Sequence, residues 1–342
     1  MALIVAKNVV GSSWAKQTKS REWKKVGVDE KHAVRNVLLA DILAREASER
    51  VCTQASLMIA NIAQFDYPGE WRTLLEDLLQ MSLPAAGLPL ERRHRPLKAI
   101  KYVSKMLEKK RFVLEEPGGA PLMTLAPGRL QELGAMVEAA RLQMRTSLRA
   151  LLVPLMGIWE AEFDAYSRST EQDKLHCMKI CRVAVSACAC AMWTVDSVEL
   201  DRRGNENLSE VGQVLSHSCS LATRVAEYIF RPQGSGGVQG TFHAAPDAAL
   251  FKLWERFIVV GVVGVTKHTV TFAAQASSWL DLVVGRGIMA MDPEAAPSLR
   301  NKTRVLPIRL LARMLLHPHF RRSYLHARQS HLPDPMLAFK RA

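Results

Sequence analysis

Apolar positions recur along this chain with the 3.6-residue period of helices. Val34, Val37, Leu38 and Ile42 fall on one helical face, and Val51, Ala55, Met58, Ile59 and Ile62 on another. Trp71, Leu74, Leu75, Leu78 and Leu79 make a third stripe, and Leu97, Ile100, Val103 and Leu107 a fourth. Two long helices are expected over 129–160 and 172–200, the second carrying Met178, Cys181, Val185, Cys188, Met192 and Val195. Leu208, Val211, Leu215, Ala222, Val225 and Ile229 line the next, and three more are expected over 246–266, 269–288 and 300–318. Strand-like alternation is almost absent. The pattern predicts an all-α protein.

The breaks fall where helices should stop. Tyr67-Pro68-Gly69 separates two stripes, because proline disfavours a helical residue before it and glycine accepts left-handed geometry. Pro84, Gly87 and Pro89 mark a turn, as do 116–128, 202–205 and the Gly-rich 231–237. Antiparallel pairs of about 40–50 residues result, and a pair this small must stack on neighbours to bury its apolar face. An α-solenoid of stacked helix pairs is expected, with a basic tail at 329–342.

Charge changes the picture. The 342 residues carry 46 Lys+Arg against 33 Asp+Glu, a formal charge of +13, which points to an anionic partner. The excess is local: residues 1–25 are +5, 91–111 are +7 and 300–342 are +9, leaving the remainder at −8. Lys98, Lys101, Lys105 and Lys109 recur at helical spacing opposite the Leu97/Ile100/Leu107 face. Such a row fits either a solvated helix face or a surface tracking an anion. Apart from Tyr102 no aromatic is interleaved with it, which disfavours nucleic acid as the main partner.

Candidate chemistry adds little. Cys177-x3-Cys181 and Cys188-x-Cys190, with His176 nearby, lack the knuckle spacing of a zinc site, and Cys181 and Cys188 share the apolar stripe, so core packing is expected. His317-Pro318-His319 reads as a surface-exposed helix end. Gly234–Gly240 has no preceding strand and no Lys-Ser/Thr after it, so it reads as a connector. Glu160-Ala161-Glu162-Phe163-Asp164 reads as a solvated helix end. No catalytic set, metal site or cofactor loop emerges, so a non-enzymatic protein without cofactors is expected. The six cysteines suit reduced thiols, Met1–Val5 lacks the features of a signal peptide, and Phe257–Val265 falls short of the roughly 20 residues of a membrane helix.

Three pieces resemble the N-terminal part of the importin-β (karyopherin) superfamily. Ala2-Leu3-Ile4-Val5-Ala6-Lys7-Asn8, followed by Trp14, resembles its "KN…W" helix. Gln54-Ala55 through Ile59, then Ile62-Ala63-Gln64-Phe65-Asp66-Tyr67-Pro68, Trp71 and Leu74-Leu75 resemble its "Q-x-x-x-x-I-x-x-I-A-x-x-D-x-P-x-x-W-x-x-L" helix–turn–helix. Leu97 through Val103, ending at Lys109-Lys110-Arg111, resembles the "L-x-x-L-x-x-x-L-K-x-L-x-x-x-R" helix of the next repeat. Order and spacing together are specific over 1–112, and later helices are similar in arrangement to the importin-eleven branch.

The resemblance implies HEAT repeats, in a HEAT/armadillo-type α-solenoid with segments at 1–112 and 113–328, and a monomeric nuclear transport receptor. Its partners would be Ran GTPase in the GTP form, protein cargo and Phe-Gly nucleoporins, and it would move between cytoplasm and nucleus at the nuclear envelope. Lys7, Asn8 and Gln54 would sit on inner helices near Ran, with Lys98, Lys101, Lys105 and Lys109 on the next. Trp14, Asp66, Pro68 and Trp71 would be structural, the aromatics packing between repeats and the proline starting a helix. The chain departs from the family in beginning inside the second repeat, in its short length and in its basic charge. The alternative is a HEAT-type scaffold that binds an acidic protein through 91–111 and 300–328 without Ran.

Overall fold

The computed structural model describes Trp14 and residues 26–110, 126–195, 210–229, 246–287 and 301–316. Lys7, Asn8, the Gly-rich stretch, His317–His319 and the basic tail lie outside the described residues. Among the described residues the chain is helical and contains no strand. It divides into two compact units, residues 1–151 and 152–342.

In the first unit, α1 (Val28–Asn36) runs into a π-helical stretch, Val37–Leu43. α2 (Glu49–Asp66) and α3 (Leu74–Ser82) are followed by α4 (His94–Glu108) and α5 (Pro127–Ala150). Ser48 caps α2 through Val51 N, leaving one fewer orphan donor at its start. α2 and α4 run side by side in the same direction. His94 and Lys98 at the start of α4 meet Glu49 and Thr53 at the start of α2, while Lys110 just past α4 donates to Tyr67 O just past α2.

The second unit holds α6 (Leu152–Tyr166), α7 (Glu171–Thr194), α8 (Glu210–Ile229) and α9 (Pro246–Lys267). Short helices α10 (Thr269–Ala273) and α11 (Ala276–Asp281), a π-helical stretch (Leu282–Gly287) and α12 (Asn301–Leu316) complete it. Tyr166–Lys174 and Trp159 O–Cys181 contacts pair α6 antiparallel with α7. α8 lies parallel to α6, since His217 meets Glu160 and Arg224 meets Asp164. α9 runs parallel to α7, because Lys267 stacks on Trp193 and Arg182 sits near Glu255 and Arg256. Two antiparallel pairs therefore stack with like helices side by side. By length and composition α7 could cross a membrane, but 67% of its apolar window is buried inside the unit, as in a core helix.

Several expected elements are corrected. The 129–160 helix is two helices that break at Leu151, because Pro154 has no N–H to donate and its ring clashes with the preceding turn. The 269–288 helix is likewise α10, α11 and a π stretch. Val37 is 46% exposed, while Leu38 and Leu43 are buried five residues apart, the π-helical repeat rather than the α. Trp71 is buried but precedes α3 instead of belonging to it, and Pro68 lies in the turn after α2 rather than opening a helix. Glu162, expected at a solvated end, is buried against the Cys177 thiol.

The cysteines pack as expected. Cys177, Cys181 and Cys188 are buried, and Cys181 Sγ donates to Trp159 O at 3.3 Å. Burial pushes the Cys177 thiol up to about 11 and Cys181 and Cys188 well above the ordinary range, which leaves them as core groups rather than nucleophiles.

Candidate functional site

α2 ends on a carboxylate, Asp66, that is 3% exposed. A buried carboxylate needs paired charge and donors. α1 supplies the charge: Lys31 and Arg35, four residues apart, project from the same face as Leu38 toward α2. Arg35 Nη2 reaches Asp66 Oδ2 at 2.5 Å, and Lys31 Nζ lies 3.5 Å from Oδ1. Trp14 Nε1, 52 positions earlier in sequence, donates to Asp66 Oδ2 at 2.8 Å. Glu70 takes Lys31 at 2.8 Å, and its backbone carbonyl accepts from Arg35 Nη1 at 3.1 Å.

Aromatic faces close the node. Lys31 sits 5.4 Å over the Trp14 ring, and Arg35 lies 5.2 Å over Trp71, contacts that strengthen when desolvated. The Asp66 carbonyl also accepts from the Glu70 and Trp71 amides, which folds the 67–71 turn back onto the helix end. Lys110 approaches from α4, where burial pushes its pKa down to about 8 and the nearby Asp66 partly opposes that shift. Trp14, Asp66 and Trp71, taken from two separated motif pieces, thus meet at one point.

Within the described part of the basic segment, 91–110, the arginines are turned onto the protein. Arg92 Nη1 donates to the Ala44 and Arg45 carbonyls, Arg95 Nη1 to those of Leu43 and Glu46, and Arg93 Nε to that of Ser82. Cations there satisfy orphan carbonyls and oppose the negative ends of helix dipoles. Lys98 is half-buried, 3.1 Å from Glu49 and 2.7 Å from Thr53. Of the lysine row, Lys101 is half-buried beside the Tyr102 ring, and Lys105 and Lys109 are exposed. Gln54 is half-buried on α2.

Periodicity alone did not reveal Lys31, Arg35, Glu70 or Lys110 as parts of the node. The available signal was the 31, 35, 38 spacing, which puts two cations on an otherwise apolar stripe. In the second unit a cavity of about 470 Å³ between α8 and α11 is lined by Ser216, Ser220, Thr223, Gln275 and Asp281. Its one thiol, Cys219, is pushed up to about 12 by burial, so the cavity presents hydroxyls without an activated nucleophile. No protein-family model, curated protein or solved structure matches the chain.

Proposed function

We propose that this protein is a non-enzymatic helical-repeat receptor of importin type. It binds the GTP form of Ran and a protein cargo, and passes the Phe-Gly nucleoporins of the nuclear pore between cytoplasm and nucleus. One observation carries the reading: Trp14, Asp66 and Trp71, singled out by resemblance from motifs far apart in sequence, converge on a single buried node. Parallel stacking of α2 with α4, α6 with α8 and α7 with α9 supports a superhelix of HEAT-type repeats.

The mechanism is linkage. Ran-GTP and cargo compete energetically for one array of helices, so that each weakens the other by the same factor. Capture of Ran by the immobilised chain tests this: the GTP-loaded form should be retained and the GDP-loaded form washed away. Equal retention of both forms, or of neither by a folded chain, would sink the reading.

A second reading, a scaffold for an acidic protein without Ran coupling, is favoured by exposed Lys105 and Lys109, for which no ion pair exists among the described residues. Binding that falls steeply with salt yet ignores the nucleotide on Ran would select it.

A further inference from the structure

We infer that the exposed side of the α2–α4 pair is a track for an extended acidic peptide segment with carboxylates at alternate residues. The inference deepens the proposed function, resting on it only for the idea that these helices face a partner. Its geometry comes from the register of two parallel helices. Glu49 meets His94 and Thr53 meets Lys98, each 45 residues apart, and Tyr67 meets Lys110 across 43. Lys101 is therefore level with Leu57, Lys105 with Asn61, and Lys109 with Phe65 and Asp66 at the end of α2, just past Gln64.

Two different chemistries run in parallel along that face. The solvent side of α2 presents Gln54, Leu57, Asn61 and Gln64, all half-buried, and none of the three amide side chains has a hydrogen bond to another described residue. An amide side chain carries both donors and acceptors, which is what an extended main chain requires. Leu57 interrupts the amides at the level of Lys101, so the contact is strongest farther along, where Asn61 is level with Lys105 and Gln64 falls between the levels of Lys105 and Lys109. There the exposed side of α4 sets two lysines against a single carboxylate, Glu108. Glu49, the acid at the head of the track, is already surrounded by His94, Arg95 and Lys98. Lys105 and Lys109 thus have little internal acid to meet.

Spacing selects the occupant. Successive lysines four residues apart rise about 6 Å along the helix. An extended peptide presents every second side chain about 6.6–6.8 Å apart on one face. Acids at alternate positions therefore lie over successive lysines while the main chain runs beside the amides. A nucleic acid would meet the same lysines and amides, but among the described residues the track offers it only Tyr102 and Phe65 for stacking.

The test measures fluorescence anisotropy of the full chain with a labelled ten-residue peptide of alternating Glu and Ser. Controls are a peptide of the same composition with its glutamates in one block, and a ten-nucleotide oligo-dT. The alternating peptide should bind more tightly than both. Lys105→Glu with Lys109→Glu should weaken it about tenfold and flatten its salt dependence. Asn61→Ala with Gln64→Ala should weaken it about threefold and leave the salt dependence unchanged, which separates main-chain contacts from charge. Circular dichroism on each variant confirms that the helices persist. Absence of peptide binding, an unchanged affinity in the lysine variant, equal affinity for the block peptide, or tighter binding of oligo-dT would each overturn the inference. Because Ran takes no part in this assay, peptide binding without Ran binding would retain the track and discard the receptor reading, and the reverse result would do the opposite.

Discussion

The two units solve one packing problem with different chemistry. Each stacks helices of the same direction side by side, but the first joins its layers with buried charge and the second with rings, thiols and glycines. Arg35, Lys31 and Asp66 are almost fully buried in the first unit, as are Arg93 and Arg95. In the second, Trp159 meets Phe257 edge-on at 6.0 Å and Trp279 lies 5.9 Å from Phe272. Gly261 and Gly264 bring the α9 backbone close to these side chains. Charged joints are specific in direction and intolerant of a missing partner, whereas apolar joints are intolerant of a change in volume.

The largest effect should come from unbalancing the charged joint. Asp66→Ala leaves buried Arg35 and Lys31 with only the more exposed Glu70 carboxylate between them, which should cost about 3 kcal/mol. Hydrogen exchange resolved by unit should show residues 26–110 opening while 152–195 stay protected. Equal loss in both units would erase the contrast.

Alkaline pH should separate the units next. A thiol whose folded pKa lies above its unfolded value of about 9 loses stability as pH rises through 9, since the unfolded chain releases the proton first. Cys181, Cys188 and Cys219 all act in this sense, at about 1 kcal/mol each by pH 10. Lys110 acts oppositely in the first unit. Its folded pKa of about 8 lies below the unfolded 10.5, so stability rises between those values, opposed by Cys52 only above pH 9. Denaturation midpoints from pH 8 to 10 should therefore fall in the second unit before the first, and Cys188→Ala should reduce that fall.

Gly261→Ala sharpens the apolar side of the contrast. A Cβ there would lie 2.6 Å from Cζ3 of the fully buried Trp279. Overpacking should cost about 2 kcal/mol, outweighing alanine's better helix propensity. Gly157→Ala, with open space at its Cβ, is the matched control and should be neutral or stabilising. Smallest of all, Lys105→Glu with Lys109→Glu should shift stability by less than about 0.5 kcal/mol, since both side chains are exposed and glutamate is as good a helix former. Thermal melting checks both substitutions.

The stripes at Ala55–Ile62, Leu74–Leu78 and Leu97–Leu107 were legible in the sequence because apolar periodicity reports burial directly. The cysteine stripe of α7 was legible for the same reason. Pro154 hid inside a continuous apolar pattern, and the break it imposes comes from the backbone, which periodicity does not register. The π stretch at Val37–Leu43 shifted a buried face by one residue for a similar reason. The node was half visible: Trp14, Asp66 and Trp71 stood out by resemblance, but the cations that bind them count as polar in any apolar pattern. Charge totals over 91–111 misled in the opposite sense, since a sum cannot tell an arginine on a helix-end carbonyl from one facing solvent.

A double-mutant cycle tests most directly whether a buried charge pair holds the first unit together. Arg35→Leu and Asp66→Leu are made singly and together, and stability is read by urea denaturation. Each single change takes the nearest partner from one buried ion, leaving Asp66 to Lys31 and Trp14 or Arg35 to Glu70. The pair removes both ions, so the double variant should be more stable than the sum of the single losses predicts, by at least about 1 kcal/mol. Strictly additive losses would show that Arg35 and Asp66 act independently, and the charged joint at the centre of this account would be wrong.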